Sequence, residues 1–270
     1  MYEFSFVQDP FRLATIQIHK SKLLIISWLI CFGAYGADFS FGLWGDMPYE
    51  RNQDARQTQA VIDSINASDV TFSIFDGDFK DGSSICQDDL YTQTLNTFNT
   101  MRQPLVYVPG DNEWTDCHRI NNGGFSALER LSLIRRVFFA SSESLGQQKL
   151  QLAQQGTPGE KFSENTRFVH QGIVFVGLNV PGSNNNLVMS SKECAFNSVR
   201  TQVDCDSANA ELAERDAANM SWLKAAFEIA KTQAAQGVVV VIQGNPGFDL
   251  SETWPLDESK LPEYAGYRHW

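Results

Sequence analysis

One pattern constrains this chain more than any other: an apolar, β-prone run, a glycine–acid turn, then an amphipathic stretch, three times over. The runs cover residues 39–44, 70–75 and 105–108. The turns that follow them are Gly45-Asp46, Gly77-Asp78-Phe79-Lys80-Asp81-Gly82 and Pro109-Gly110-Asp111-Asn112-Glu113. Asp46, Asp78 and Asp111 therefore recur at roughly 30 residues, the length of a strand, a crossover helix and the next parallel strand. In an open parallel sheet, ligands gather outside the carboxyl ends of the strands. Two like charges ~4 Å apart repel by roughly 4 kcal/mol near a protein surface. Three carboxylates delivered there are thus expected to hold a cation between them, in a metal site built from hard oxygen ligands.

The remainder reads as mixed α/β. Helices are expected over residues 52–65, 88–101, 125–139 and 209–233 from their apolar spacing. Residues 167–170 and 173–178 form a hairpin around Gln171-Gly172. Residues 238–242 make a continuous apolar run, as in a strand buried on both faces. Residues 147–159 are polar and expected to be an exposed excursion, and residues 181–207, rich in Ser and Asn, a loop stapled by cysteines. The net charge is −11, with 21 basic against 32 acidic residues. That balance argues against nucleic acid as the main partner, since phosphate backbones need a basic patch.

Lys20 and Lys22 precede an apolar stretch, residues 23–32, and then small residues, Ala34 and Gly36 among them. This is the layout of an export signal. Residues 1–36 are expected to be a signal peptide, or else an uncleaved N-terminal anchor, and the protein to be periplasmic or secreted. The stretch is short for a membrane span. Cys31 falls inside it, leaving Cys86, Cys117, Cys194 and Cys205, which allow three pairings. Cys86–Cys117, joining two loops at the carboxyl edge of the sheet, and Cys194–Cys205, closing a short polar loop, are the expected pair.

With these residues in place, the chain resembles the calcineurin-like metallophosphoesterases over roughly residues 38–250. That family sets its ligands on loops after successive strands as Asp-x-His, Gly-Asp-x-x-Asp, Gly-Asn-His-Asp/Glu, a lone His, and Gly-His-x-His. Gly77-Asp78-Phe79-Lys80-Asp81 matches the second block. The resemblance implies an α/β fold of layered β-sheets flanked by helices over residues 37–270, with the last strands missing. It makes Asp78 the carboxylate between two metals, Asp46 and Asp111 ligands on either side, and Asp81 and Glu113 supporting groups, Glu113 serving equally well as a ligand. Pro48 stands where the first His would be, Asn112 where the catalytic His would be, and Gln243 or Asn245 offers a carbonyl in place of the fourth block's His. The fifth block is absent, and His269 lies outside any Gly-His-x-His context.

Such substitutions make the site oxygen-rich, favouring Mn, Mg, Fe or Ca over Zn. The implied activity is hydrolysis of a small phosphate mono- or diester with two divalent ions. His118 is the candidate general acid, because imidazole titrates near neutrality, and Lys80 the candidate contact to a substrate phosphate. The rival reading is a catalytically degenerate module that binds a metal or phosphorylated ligand without turnover. A third is a surface protein whose acidic turns are only strand-end loops.

Overall fold

The computed structural model describes residues 38–46, 49, 56–247 and 261–270. The expected signal peptide and Pro48 lie outside the described residues. Strands β1 (Phe41–Trp44), β2 (Phe72–Asp76) and β3 (Leu105–Val108) form a parallel sheet in the order β1-β2-β3. Its crossovers are helices α1 (Arg56–Asn66) and α2 (Asp88–Phe98). The repeat seen in the sequence is therefore two successive strand–helix–strand units, and all three acidic turns leave the same edge.

A second sheet has the order β4-β5-β6-β7, from β4 (Ala153–Gln154), β5 (Thr166–His170), β6 (Ile173–Gly177) and β7 (Gly237–Val241). Its first two pairings are antiparallel and β6 runs parallel to β7. Side chains alternate across each strand, and the two faces of each sheet find different partners. Phe72 and Ile74 of β2 with Val106 and Val108 of β3 meet Phe168, Phe175 and Val241 of the second sheet. Phe72 stands edge-on to Phe168 and Phe175, each at 5.1 Å. The opposite face, Phe75, Leu105 and Tyr107, packs on α1, α2 and α3 (Ala127–Phe138) through Ile62, Tyr91, Phe98, Leu131 and Ile134. Beyond the second sheet, Val174, Val176 and Leu178 pack with Ala226 and Trp222 of the long helix Gln202–Thr232. The layers run helix, sheet, sheet, helix. Each fully buried Phe or Leu contributes roughly 1.5–3 kcal/mol, so this interior dominates stability.

Local signals set the helix ends. Ser126 Oγ accepts from Glu129 N at the start of α3, and Arg135 and Arg136 lie in its last turn, complementing the helix dipole. A short α4 (Ser191–Ala195) precedes α5 (Gln202–Thr232), which Thr201 and Asp204 open with a reciprocal capping box. Cys86–Cys117 and Cys194–Cys205 are both bonded. Among the described residues no helix is long and apolar enough to cross a membrane.

Three expectations are corrected. Helix α5 begins at Gln202, inside the stretch read as loop, because the capping box outweighs the polar composition of its first turns. The polar excursion contains β4, whose Ala153 and Gln154 pair with Arg167 and Thr166 of β5. Strand β7 is covered on both faces only in part: Val239 and Val241 pack toward the first sheet and Val238 toward the long helix, but Val240 is exposed and the strand has one neighbour among the described residues.

Candidate metal centre

The acidic turns meet where β1, β2 and β3 end. Asp46 N–H donates to Gly77 O at 3.0 Å, tying the first turn to the second. Gly77 sits at φ 77° against Gly110, where any side chain would strike the Gly110 backbone. Asp46 and Asp78 themselves hold φ of 53° and 61°. Non-glycine residues held there cost about 1–3 kcal/mol, strain that the surrounding structure must impose.

What imposes it at Asp78 is Glu113. This fully buried carboxylate accepts the Asp78 N–H with both oxygens at 3.1 Å, the Gly110 N–H at 2.7 Å and the Tyr107 hydroxyl at 2.9 Å. The Asp78 side chain then projects to where Asn112 N–H reaches Oδ1 at 3.0 Å and Asn112 Nδ2 reaches Oδ2 at 2.9 Å. Gln243, just past β7, donates from one Nε2 to Asp78 Oδ2 at 3.2 Å and Asp111 Oδ1 at 3.1 Å. Asp46 is near enough for the Asp78 and Asp111 carboxyls to act on its titration. Asp46, Asp78, Asp111, Asn112 and Gln243 are thus brought together.

The electrostatics follow from crowding. Burial, then the charges of Glu113 and Asp111, pushes the Asp78 carboxyl up to about 10. Burial raises Asp46, opposed by its bond to Asp78. Asp76, the last residue of β2, is pushed up to about 8 by burial and by Asp46 and Glu113, and its Oδ1 is buried without a partner.

Other expected residues lie elsewhere. Lys80 is turned inward, its Nζ bonded to Asn112 O at 2.7 Å and Asp81 O at 2.8 Å, so it braces the loop and does not present an amine to substrate. Asp81 folds its own turn by accepting from Ser83 and Ser84. Asn245 Oδ1 accepts from Gly247 N within its loop. His118 bonds through Nδ1 to Ser198 Oγ at 2.9 Å and lines a cleft with Asp116 and Ser183. Burial, then Arg200 and Arg119, pulls its pKa down to about 4, leaving it neutral at pH 7 with no proton to give a leaving group. The general-acid role expected of His118 is thus not met in its neutral state.

Sequence reading missed four groups. Tyr49 hydrogen-bonds Asp46 and receives Asn112 Nδ2 at 3.4 Å. Asp76 hid inside the strand. Asp116 is buried beside the cystine, paired with Arg119 at 2.6 Å. Ser183 donates toward Asp111 Oδ2 at 2.6 Å and Asp116 Oδ1 at 2.8 Å, from a segment where residues 183–186 all have positive φ. Arg215 of α5, wholly buried, anchors that segment through Asn179 O, Asn185 O and Asn185 Oδ1.

Chemically, Asp46, Asp78 and Asp111 offer carboxylate oxygens, the kind of ligand that Mg, Mn or Ca takes. Among the described residues no group of three or more His, Cys, Asp or Glu is placed to hold a metal ion. The amide N–H groups of Asn112 and Gln243 occupy carboxylate lone pairs here. A 180° flip of the Asn112 amide presents oxygen instead, whereas Gln243 is fixed as it stands, its Oε1 accepting from Gly182 N–H at 2.5 Å. Compared with protein-family models, curated proteins and solved structures, the chain gives no match.

Proposed function

We propose that the protein is an exported, metal-dependent hydrolase of small phosphate mono- or diesters, with the calcineurin-like arrangement of layered sheets that its motifs resemble. One observation carries the reading: carboxylates from three successive strand ends converge, with Gln243 bonded to both Asp78 and Asp111 and Asp46 against Asp78. Asp78 is buried in this cluster, with Asp111 half-buried and Asp46 exposed. Carboxyls crowded in this way are kept from repelling one another by protons or by cations, and catalytic metal sites exploit the second. Asp46, Asp78 and Asp111 would hold two divalent ions, Mn, Mg, Fe or Ca, with the Asn112 amide turned to offer oxygen. Bound there, such ions supply an activated water and neutralise charge on the phosphoryl oxygens. The protein's own part is positioning: Glu113 fixes the Asp78 backbone, and Ser183 and Gln243 fix the two oxygens of Asp111. Two cystines suit an oxidising compartment.

A second reading is favoured by His118, which is neutral and bonded to Ser198 Oγ. Without a proton donor, the site would bind metal or a phosphorylated ligand without turning it over. The test is Mn²⁺-dependent hydrolysis of 4-nitrophenyl phosphate by the wild type and Asp78→Asn. Turnover lost in the variant supports the hydrolase, and metal binding without turnover supports the module. Absence of metal binding overturns the hydrolase and leaves the module only as a binder of a phosphorylated ligand.

A further inference from the structure

Next to the aspartate cluster lies a cleft of about 490 Å³ whose wall is shared with it. Ser183 and Asp116 form the shared wall. Arg119, His118 and Arg200 continue it outward, and Met189 and Phe196 flank the far side. A single hydroxyl separates Arg119 from the cluster: Arg119 Nη2 donates to Ser183 Oγ at 3.3 Å, and the same oxygen bonds Asp111.

Arg200 is the unusual member. It is half-buried, and its one side-chain hydrogen bond among the described residues runs from Nε to Ser198 Oγ at 3.3 Å. It forms no ion pair among the described residues. Its two terminal nitrogens therefore present the planar fork that matches phosphate and carboxylate oxygens. Arg200 feels the charge of Glu193 first, then those of Arg119, Asp116 and Asp204, in a chain of net charge −11. The acidic groups at the rim, Glu193 and Glu263, are exposed, and Glu193 Oε2 is occupied by Met189 N at 2.8 Å. The volume falls within the roughly 300–1,000 Å³ of small-molecule sites, far more than an inorganic anion fills. Phe196 and Met189, 76% and 50% exposed, offer apolar contact to an organic body.

We propose that this cleft is the leaving-group subsite, and that it selects phosphoesters whose organic leaving group carries a second anionic group, phosphate or carboxylate, which Arg200 binds together with Arg119. The inference rests on the hydrolase reading for its role, but the anion site can be tested alone. In the first experiment the full chain, treated with EDTA, is titrated with inorganic phosphate while the His118 ring signals are followed by NMR. Saturable binding is expected, weakened at least tenfold in Arg200→Gln and partly restored in Arg200→Lys. No binding, or binding indifferent to Arg200→Gln in a variant of unchanged melting temperature, overturns the proposal. In the second, with Mn²⁺, 4-carboxyphenyl phosphate is compared with phenyl phosphate. A preference in kcat/KM for the carboxylated ester is expected, falling about tenfold in Arg200→Gln, and equal preference in both proteins overturns the selectivity. Should neither ester be hydrolysed, the hydrolase reading fails, while the phosphate titration still decides the anion site.

Discussion

Glu113 holds the backbone of Asp78 with both carboxylate oxygens, each 3.1 Å from the same N–H. The contact joins the turn after β3 to the turn after β2 and sets the left-handed conformation from which Asp78 projects. Because Glu113 also takes Gly110 N and the Tyr107 hydroxyl, removing it strands three buried donors. Each unsatisfied buried group costs about 1–3 kcal/mol. Glu113→Ala should therefore destabilise by about 3 kcal/mol or more in urea unfolding, and metal affinity should fall with it. A variant within 0.5 kcal/mol of wild type, on the order of a surface change, would refute this role.

The cluster predicts a pH dependence. Asp76 and Asp78 are raised to about 8 and about 10, so between their ordinary values and these the folded state holds protons that the unfolded state has released. Stability of the metal-free protein must then fall as pH rises through that window. His118, pulled down to about 4, works in the opposite sense but only below its unfolded value of 6.5. Thermal midpoints in EDTA should drop between pH 7 and pH 9.5. A flat or rising profile would show that the carboxyls are not crowded.

Divalent metal should reverse that trend. An ion that binds only the folded state at a hundred times its Kd adds about 2.7 kcal/mol. Calorimetry at pH 8.5 with and without Mn²⁺ should show an upward shift in Tm, abolished in Asp78→Asn.

Gly182 lies against Asp111: a Cβ there would fall 2.8 Å from the carboxylate carbon. Gly182→Ala must push Asp111 or the 182–186 segment aside. We expect a tenfold or greater loss of metal-dependent turnover, with a stability change under about 2 kcal/mol, within the range of overpacking. Unaltered kinetics would mean that Asp111 is not placed by this contact.

Arg135 and Glu164 form a two-pronged ion pair beneath the fold, at 2.7 Å and 2.5 Å, with Glu164 fully buried. Breaking such a pair from one side typically costs about 3–5 kcal/mol. Arg135→Met should show that loss in urea unfolding, and restoring much of it with Glu164→Leu in the double variant would confirm that the cost is an orphaned charge.

The parallel sheet was legible because apolar, β-prone runs and glycine–acid turns are local signals, and the same turns announced Asp46, Asp78 and Asp111. Both cystines followed from loop placement. The start of α5 was obscured by a polar first turn, whose Thr201–Asp204 cap is a two-residue signal within a Ser- and Asn-rich stretch. Lys80 and His118 were misjudged for one reason: charge and titration range are properties of residue type, but direction is set by packing. Lys80 points at carbonyls and His118 at Ser198. Ser183 and Asp116 could not be paired from sequence, since their meeting depends on Arg215 drawing in the 179–185 segment from a different layer.

A serine hydroxyl owns a single hydrogen, yet Ser183 stands between two acids, Asp111 and Asp116. It can satisfy one of them at a time. Whatever cancels the charge on Asp111 releases that hydrogen toward Asp116, which then leans less on Arg119. A charge cancelled at one end of the wall would reach, through the swing of one O–H bond, the guanidinium at the other.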